Sequence, residues 1–192
     1  MNLTSSTYSD EEFKNLRLPT EDLSGKEFSS CTFKRCDLGE CNFANSVLTD
    51  CTFIDCNISN IKVDGCSFQN ATFDNCKIVG VIFSKVNAFL MSWVFKECRI
   101  ELCSFNHLKM RKSKFIECRI RQTGFISSDL IESDFSMCNL QTAKFQNTNL
   151  ERANFAGAYN YYIDPRENKI RKTKFSQPEV LSLLSGFEIE IV

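Results

Sequence analysis

Eleven cysteines are the residues of this 192-residue chain best suited to chemistry, because a thiolate can hold a metal, close a disulfide or attack a substrate. Their spacing decides among these uses. Cys31, Cys36, Cys41, Cys51, Cys56, Cys66, Cys76, Cys98, Cys103, Cys118 and Cys138 stand five residues apart or multiples near it. A zinc site calls for ligand pairs two to four residues apart that converge with histidine or further cysteine, and the single histidine is His107. That spacing argues against a metal, and a reducing compartment argues against a disulfide framework. His107 has no Ser or Cys nucleophile placed to use it, and the carboxylates are spread along the chain rather than paired. The residues therefore point away from an enzyme and away from a small-molecule substrate, with no cofactor implied.

The period that spaces the cysteines governs the whole chain. A large apolar residue recurs every fifth position from Phe28 through Phe33, Leu38, Phe43 and Leu48 to Phe83, and again from Phe95 through Ile100, Phe105 and Met110 to Phe155. Neither a helix, with a side-chain period of 3.6, nor a strand, with a period of two, produces such spacing. Two residues before each large residue lies a smaller one, and every cysteine falls on this position. There a thiol serves as a small buried hydrophobe with a weak donor.

Ala153-Asn154-Phe155-Ala156-Gly157 and Cys138-Asn139-Leu140-Gln141-Thr142 carry the motif in its fullest form: small, Asn or Asp, large apolar, then two polar residues. The chain resembles the pentapeptide-repeat family over Leu23 to Ala158. That resemblance implies an all-β fold, a right-handed quadrilateral β-helix in which four pentapeptides make one coil and residues twenty apart stack. Phe95, Phe115, Phe135 and Phe155 then form one column and Phe105, Phe125 and Phe145 the opposite one. Ile100, Ile120 and Leu140 face Met110, Leu130 and Leu150 across the core. Roughly 6.5 coils at about 4.8 Å each give a rod about 31 Å long.

Three regions follow: 1–22 as an N-terminal cap, 23–158 as the solenoid with an irregular insertion at 84–94, and 159–192 as a C-terminal cap and dimerisation segment. Ser9-Asp10-Glu11-Glu12 reads as a capping box opening a short helix, with Phe13 and Leu16 covering the first coil. Between Phe83 and Phe95 the spacing is twelve rather than ten, which inserts two residues; Phe89, Leu90, Met91 and Trp93 are expected to pack inward, with Asn87 as an exposed tip. Register is expected to shift there and nowhere else. A second short helix is expected near Pro178, with Val180, Leu181, Leu183 and Leu184 on its apolar face. Phe187, Ile189 and Ile191 then alternate like a strand. The exposed apolar residues Leu181, Leu184, Phe187, Ile189 and Ile191 suit a homodimer seam.

If the insertion preserves the four faces, Arg35, Asp55, Asn75, Glu97, Glu117 and Met137 form one outward row, with Asp74 and Asp134 beside it. Like charges stacked at strand spacing repel, so an acidic wall of Asp55, Asp74, Glu97, Glu117 and Asp134 is a candidate partner-binding surface. Lys109, Arg111, Lys112, Lys114, Arg119 and Arg121 make a basic cluster in the middle of the chain, without the exposed aromatics or groove-reading helix of a nucleic-acid module. Net charge is −1 and names no partner. No basic leader and no long apolar run stand in the chain, so a cytoplasmic protein without membrane contact is expected.

Tyr162-Ile163-Asp164-Pro165, Asn168-Lys169-Ile170, Phe175-Ser176, Pro178-Glu179-Val180 and Leu183-Leu184 are similar to the C-terminal segment of Qnr-type, topoisomerase-protecting pentapeptide-repeat proteins. What that implies is a dimer joined through its C-terminal elements and a DNA-mimicking rod that bears on DNA gyrase or topoisomerase IV. The group's DNA-like members are clearly acidic, and several carry a long projecting loop; this chain is nearly neutral and inserts only two residues. The alternative is a general protein-interaction or structural rod with a different target.

Overall fold

A computed structural model describes residues 3–87, 91–187 and 189–190. The chain winds as a parallel β-solenoid of about 8 turns, built almost entirely from three-residue strands. Each coil has four walls, numbered here by one inward residue of each: Phe13 for wall 1, Leu18 for wall 2, Leu23 for wall 3 and Phe28 for wall 4. Strands pair in parallel with the coil before and the coil after, in register at twenty residues: Phe13↔Phe33, Phe33↔Phe53 and Phe53↔Phe73 on wall 1.

The pentapeptide fits this geometry residue by residue. The second residue after the large one turns the corner in the left-handed region, with φ from 47 to 68° at twenty-five non-glycine positions from Asp10 to Lys172. Asn, Asp and Gly tolerate that region best. The small inward residue donates to a carbonyl in the preceding coil. Cys118 Sγ reaches Phe95 O at 3.4 Å, Ser128 Oγ reaches Phe105 O at 2.7 Å, and Thr148 Oγ1 reaches Phe125 O at 2.8 Å. A small side chain with one donor suits this position, which is why Cys, Ser and Thr recur there, with Ala at Ala71, Ala143 and Ala153 filling the space without the bond.

The core is a continuous stack of rings. On wall 1 Phe13, Phe33, Phe53, Phe73, Phe95, Phe115, Phe135, Phe155 and Phe175 lie with centroids 4.8 to 5.4 Å apart. Phe83, Phe105, Phe125 and Phe145 stack likewise on wall 3. The two stacks interdigitate edge to face, Phe115 meeting Phe105 at 5.7 Å and Phe125 at 5.6 Å. Both the offset stack and the T-shaped contact suit the ring quadrupole.

The N-terminal helix expected at Ser9 to Glu12 does not form. Thr7–Ser9 and Glu12–Lys14 are strands, paired with Glu27–Ser29 and Thr32–Lys34. Asp10 turns a corner at φ 54°, which is incompatible with a helix, and Ser9 Oγ donates to Asp10 instead of capping. Leu3, Tyr8, Phe13, Leu18 and Leu23 are all buried, so the repeat extends back to Leu3. Where small residues stand in later coils this first coil has the exposed Glu11 and Glu21, since among the described residues no coil lies beneath them. Charge on an open β edge discourages pairing with another chain. The extra coil here, and another formed by residues 159–175, raise the rod above the 6.5 coils expected from the sequence.

At the insertion the faces are preserved: Phe95 pairs with Phe73 and Ile100 with Ile78, twenty-two apart. A single 3-10 turn, Phe83–Lys85, precedes it. Trp93 takes a small inward position, where its Nε1 donates to Phe68 O at 2.9 Å, the same bond that Cys and Ser make elsewhere, while its ring packs against Phe68 and Phe83. Met91 packs against the core and Asn87 is exposed; Phe89 and Leu90 lie outside the described residues.

A second register slip does occur. Phe145 pairs with Ile163, eighteen apart, and the count is restored at Asn149↔Lys169. The two residues are regained in the turn Asp164 to Asn168. Buried Asn168 donates through Nδ2 to Phe145 O and Asp164 O, each at 3.0 Å, and accepts from Thr148 N at 2.9 Å. The rod ends on a 3-10 helix, Glu179–Phe187. Ser176 Oγ accepts from Gly157 N and Glu179 Oε1 from Asn160 N, each at 2.9 Å, so the cap satisfies amides of the last coil. The strand expected beyond Phe187 is not formed at residues 189–190, and Ile191 lies outside the described residues.

Candidate interaction surfaces

All eleven cysteines are free and buried. Burial pushes the Cys41 thiol up to about 11 and Cys51 to about 12, so these groups stay protonated and unreactive at neutral pH. Among the described residues no group of three His, Cys, Asp or Glu side chains could hold a metal ion. His107 turns an exposed corner of wall 3 at φ 63°. The outer walls and the ends are the surfaces the rod presents to a partner.

Wall 1 gathers the five predicted carboxylates. Asp55, Glu97 and Glu117 turn its corner at φ 53 to 55°, Asp74 follows Phe73, and Asp134 precedes Phe135. The wall is not uniformly negative. Lys96 pairs with Glu97 at 3.1 Å and lies in register with Asp74, and Lys114 lies in backbone register with Asp134. Asp55 Oδ1 accepts from Asn75 at 2.7 Å, and Asp134 Oδ1 accepts from Ser136 N at 2.8 Å and Asn154 Nδ2 at 3.0 Å. Part of the acidity thus supports the Asn/Asp ladders that hold successive coils together.

The basic cluster is dispersed by the fold. Lys109, Arg111 and Lys112 lie on wall 4, Lys114 on wall 1, and Arg119 and Arg121 on wall 2. Wall 4 neutralises its share, with Arg111 on Asp129 at 2.6 Å, Lys112 at 3.7 Å from Glu132, and Arg152 on the same Glu132 at 2.9 Å. Arg119 and Arg121 have no such supply of acids, a feature the linear sequence hides because it depends on which wall each residue occupies.

The C-terminal helix leaves Leu181, Leu184, Phe187 and Ile189 exposed, while Leu183 packs against the core. The Arg166 guanidinium lies 5.0 Å from the Phe187 ring, and Arg166 is itself held by Asp164 at 2.6 Å. Asp164 is buried, and the guanidinium holds its carboxyl below the usual range. Among the described residues no helix is long and apolar enough to cross a membrane.

The fold has known counterparts. A trypsin-treated variant of QnrB1, described as a plasmid-mediated fluoroquinolone resistance protein, superposes with a TM-score of 0.69 at 18% identity, covering 98% of this chain and 100% of that one. A second trypsin-treated variant of QnrB1 gives 0.56 at 17% identity, over 97% and 99%. HetL, a pentapeptide-repeat protein involved in heterocyst differentiation regulation in the cyanobacterium Nostoc, gives 0.42 at 10% identity, over 90% and 88%. No curated protein sequence matches the chain. The model for the pentapeptide repeat region matches residues 26–102 and 98–175. With a five-residue period, four stacked walls and that match over most of its length, the chain belongs to the pentapeptide-repeat family.

Proposed function

We propose that this protein is a non-enzymatic rod that binds another macromolecule, and that its partner is a type II topoisomerase, DNA gyrase or topoisomerase IV. The observation that carries the reading is the end-to-end correspondence with a fluoroquinolone resistance protein, from the first coil to the C-terminal cap. A core of interlocked rings supports it, because a rigid rod meets a basic DNA-binding channel without the entropy cost of ordering a mobile scaffold. In this reading Asp55, Asp74, Glu97, Glu117 and Asp134 face the channel as a DNA mimic. The exposed Leu181, Leu184, Phe187 and Ile189, with Ile191, join two copies across a two-fold axis. Cations among the acids of wall 1 favour a second reading, a protein-interaction rod with a different target.

Gyrase supercoiling, measured with and without a fluoroquinolone, separates the two. Wild type should inhibit or protect at micromolar concentration, and Glu97→Lys with Glu117→Lys should abolish the effect. Wild type without effect, or a double variant with full effect, leaves the general interaction rod. Sedimentation tests the dimer: the full chain should run as a dimer at micromolar concentration, and deletion of residues 176–192 should leave a monomer or an aggregate.

A further inference from the structure

Wall 2 carries the opposite sign. Its strands pair so that Lys77, Arg99 and Arg119 stack in one row and Val79, Glu101 and Arg121 in the next. Glu101 is the acid shared by these cations: Arg99 pairs with it at 2.8 Å, and Arg119 lies 3.9 Å away. Hydrogen bonding to Arg99, with Arg119 and Arg121 nearby, holds its carboxyl below the usual range. One carboxylate on the wall cannot offset Lys77, Arg99, Arg119 and Arg121, the first three stacked at strand spacing, where like charges repel. Arg121 Nε and Glu101 Oε1 are enclosed without a hydrogen-bond partner among the described residues. The Arg99 and Arg119 side chains are 57% and 56% exposed, open to a partner that supplies carboxylates.

An independent feature sits at the corners of the same wall. Leu102 turns the corner beyond Glu101 at φ 55° and is 57% exposed. In the coils around it that corner is held by Thr20, Glu40, Asn60, Gly80, Gln122 and Thr142. Leucine gains nothing there from conformation or from burial, and it gains burial only where a partner covers it. Met137 stands exposed at φ 58° at the other corner of wall 2, which it shares with wall 1, and Ile82 is exposed on the adjoining wall 3, one position before Phe83.

We propose that wall 2 is a docking surface for an acidic protein segment, whose carboxylates meet Lys77, Arg99, Arg119 and Arg121 and whose apolar side chains cover Leu102. Charge complementarity selects an acidic partner, and the apolar corners select protein over nucleic acid. Tyr159, the exposed aromatic in this row, stands two coils beyond Arg119, about 10 Å along the rod, too far to stack on a base held at the guanidiniums. The assignment is independent of the topoisomerase reading, which uses wall 1.

Fluorescence anisotropy with three labelled probes tests it: an alternating Glu-Leu peptide, poly-glutamate and a duplex DNA. The Glu-Leu peptide should bind most tightly and weaken as salt is raised. Arg99→Ser with Arg119→Ser should lose at least about ten-fold, roughly one decade of affinity for two charge-assisted contacts. Leu102→Asn should lose several-fold on the Glu-Leu peptide and nothing on poly-glutamate, with an unchanged or higher melting temperature, because asparagine suits the left-handed corner. Four results overturn the assignment: no peptide binding at about 100 µM, duplex bound more tightly than peptide, wild-type affinity in the arginine double variant, or equal losses on both peptides in Leu102→Asn.

Discussion

Phe125→Ala is the sharpest test of the interlocked core. Phe125 is fully buried, stacked on Phe105 at 5.2 Å and Phe145 at 5.0 Å, and met edge-on by Phe115 and Phe135, each at 5.6 Å. Truncating a buried Phe costs about 3–5 kcal/mol, more where the surroundings cannot collapse. Here they cannot, because the rings above and below are fixed by coils already paired on both sides. The expected loss is about 4 kcal/mol, of which two stacked pairs account for roughly 1–3, or about a thousand-fold in the folding equilibrium. Phe13→Ala removes a ring with a stacked neighbour on one side only, Phe33 at 4.9 Å, in a coil that can relax outward. It should cost about 3 kcal/mol or less. Urea unfolding followed by Trp93 fluorescence and by far-UV circular dichroism measures both; Trp93 is the single tryptophan and is buried. Because repeat arrays can lose cooperativity, coincidence of the two probes is part of the measurement. A loss below about 1 kcal/mol for Phe125→Ala, or a larger loss for Phe13→Ala, refutes the argument.

A thiol reagent at neutral pH should label none of the eleven cysteines in the native protein and all of them in urea, and rapid labelling of several would contradict their inward placement. Since Cys41 and Cys51 are raised to about 11 and 12 in the fold, the stability they contribute is intact below their ordinary value of 9.0 and is lost as pH climbs through 11 and 12; denaturation midpoints against pH should fall over that window. Asp164 behaves oppositely: its carboxyl is depressed, so its contribution is present at neutral pH and lost as pH drops below about 4. Asp164→Asn should remove that acid-side dependence, and an unchanged acid limb would sever Asp164 from the stability of the cap. Replacing Glu11 and Glu21 by Leu should make the open N-terminal edge associate, seen as concentration-dependent species in sedimentation; a distribution identical to wild type would show that these charges do not guard it.

How much of this was legible before folding varies along the chain. The solenoid was legible because a five-residue period admits only one way to bury a large residue at every repeat, and the cysteines took their meaning from that period. Counting across Phe83 to Phe95 gave the two inserted residues but left preservation of the faces as a condition, which the pairing of Phe95 with Phe73 and Ile100 with Ile78 meets. The first coil was misread because the local signal Ser9 to Glu12 imitates a helix cap, although Leu3, Tyr8, Phe13 and Leu18 already kept the period. Pairing with the next coil outweighed the local preference, and the charged Glu11 and Glu21 obscured the repeat because, among the described residues, nothing lies beneath the first coil to demand small residues. The slip at Ile163 shows in the sequence only as a departure from the period, with eight residues from Phe155 to Ile163, which reads as the end of the solenoid; the count is restored within five residues through the buried amide of Asn168.

Sequence alone determined the architecture, the inward residues and the protonated cysteines, because these depend on period and on neighbours at fixed separation. Only the tertiary structure decided the surface. It put Lys96 against Glu97 on the acidic wall, sent the basic cluster to three walls, and left Arg99, Arg119 and Arg121 around the single carboxylate of Glu101. The physical reason is that charge acts through distances between coils, and two residues adjacent in sequence face different walls while two residues twenty apart touch.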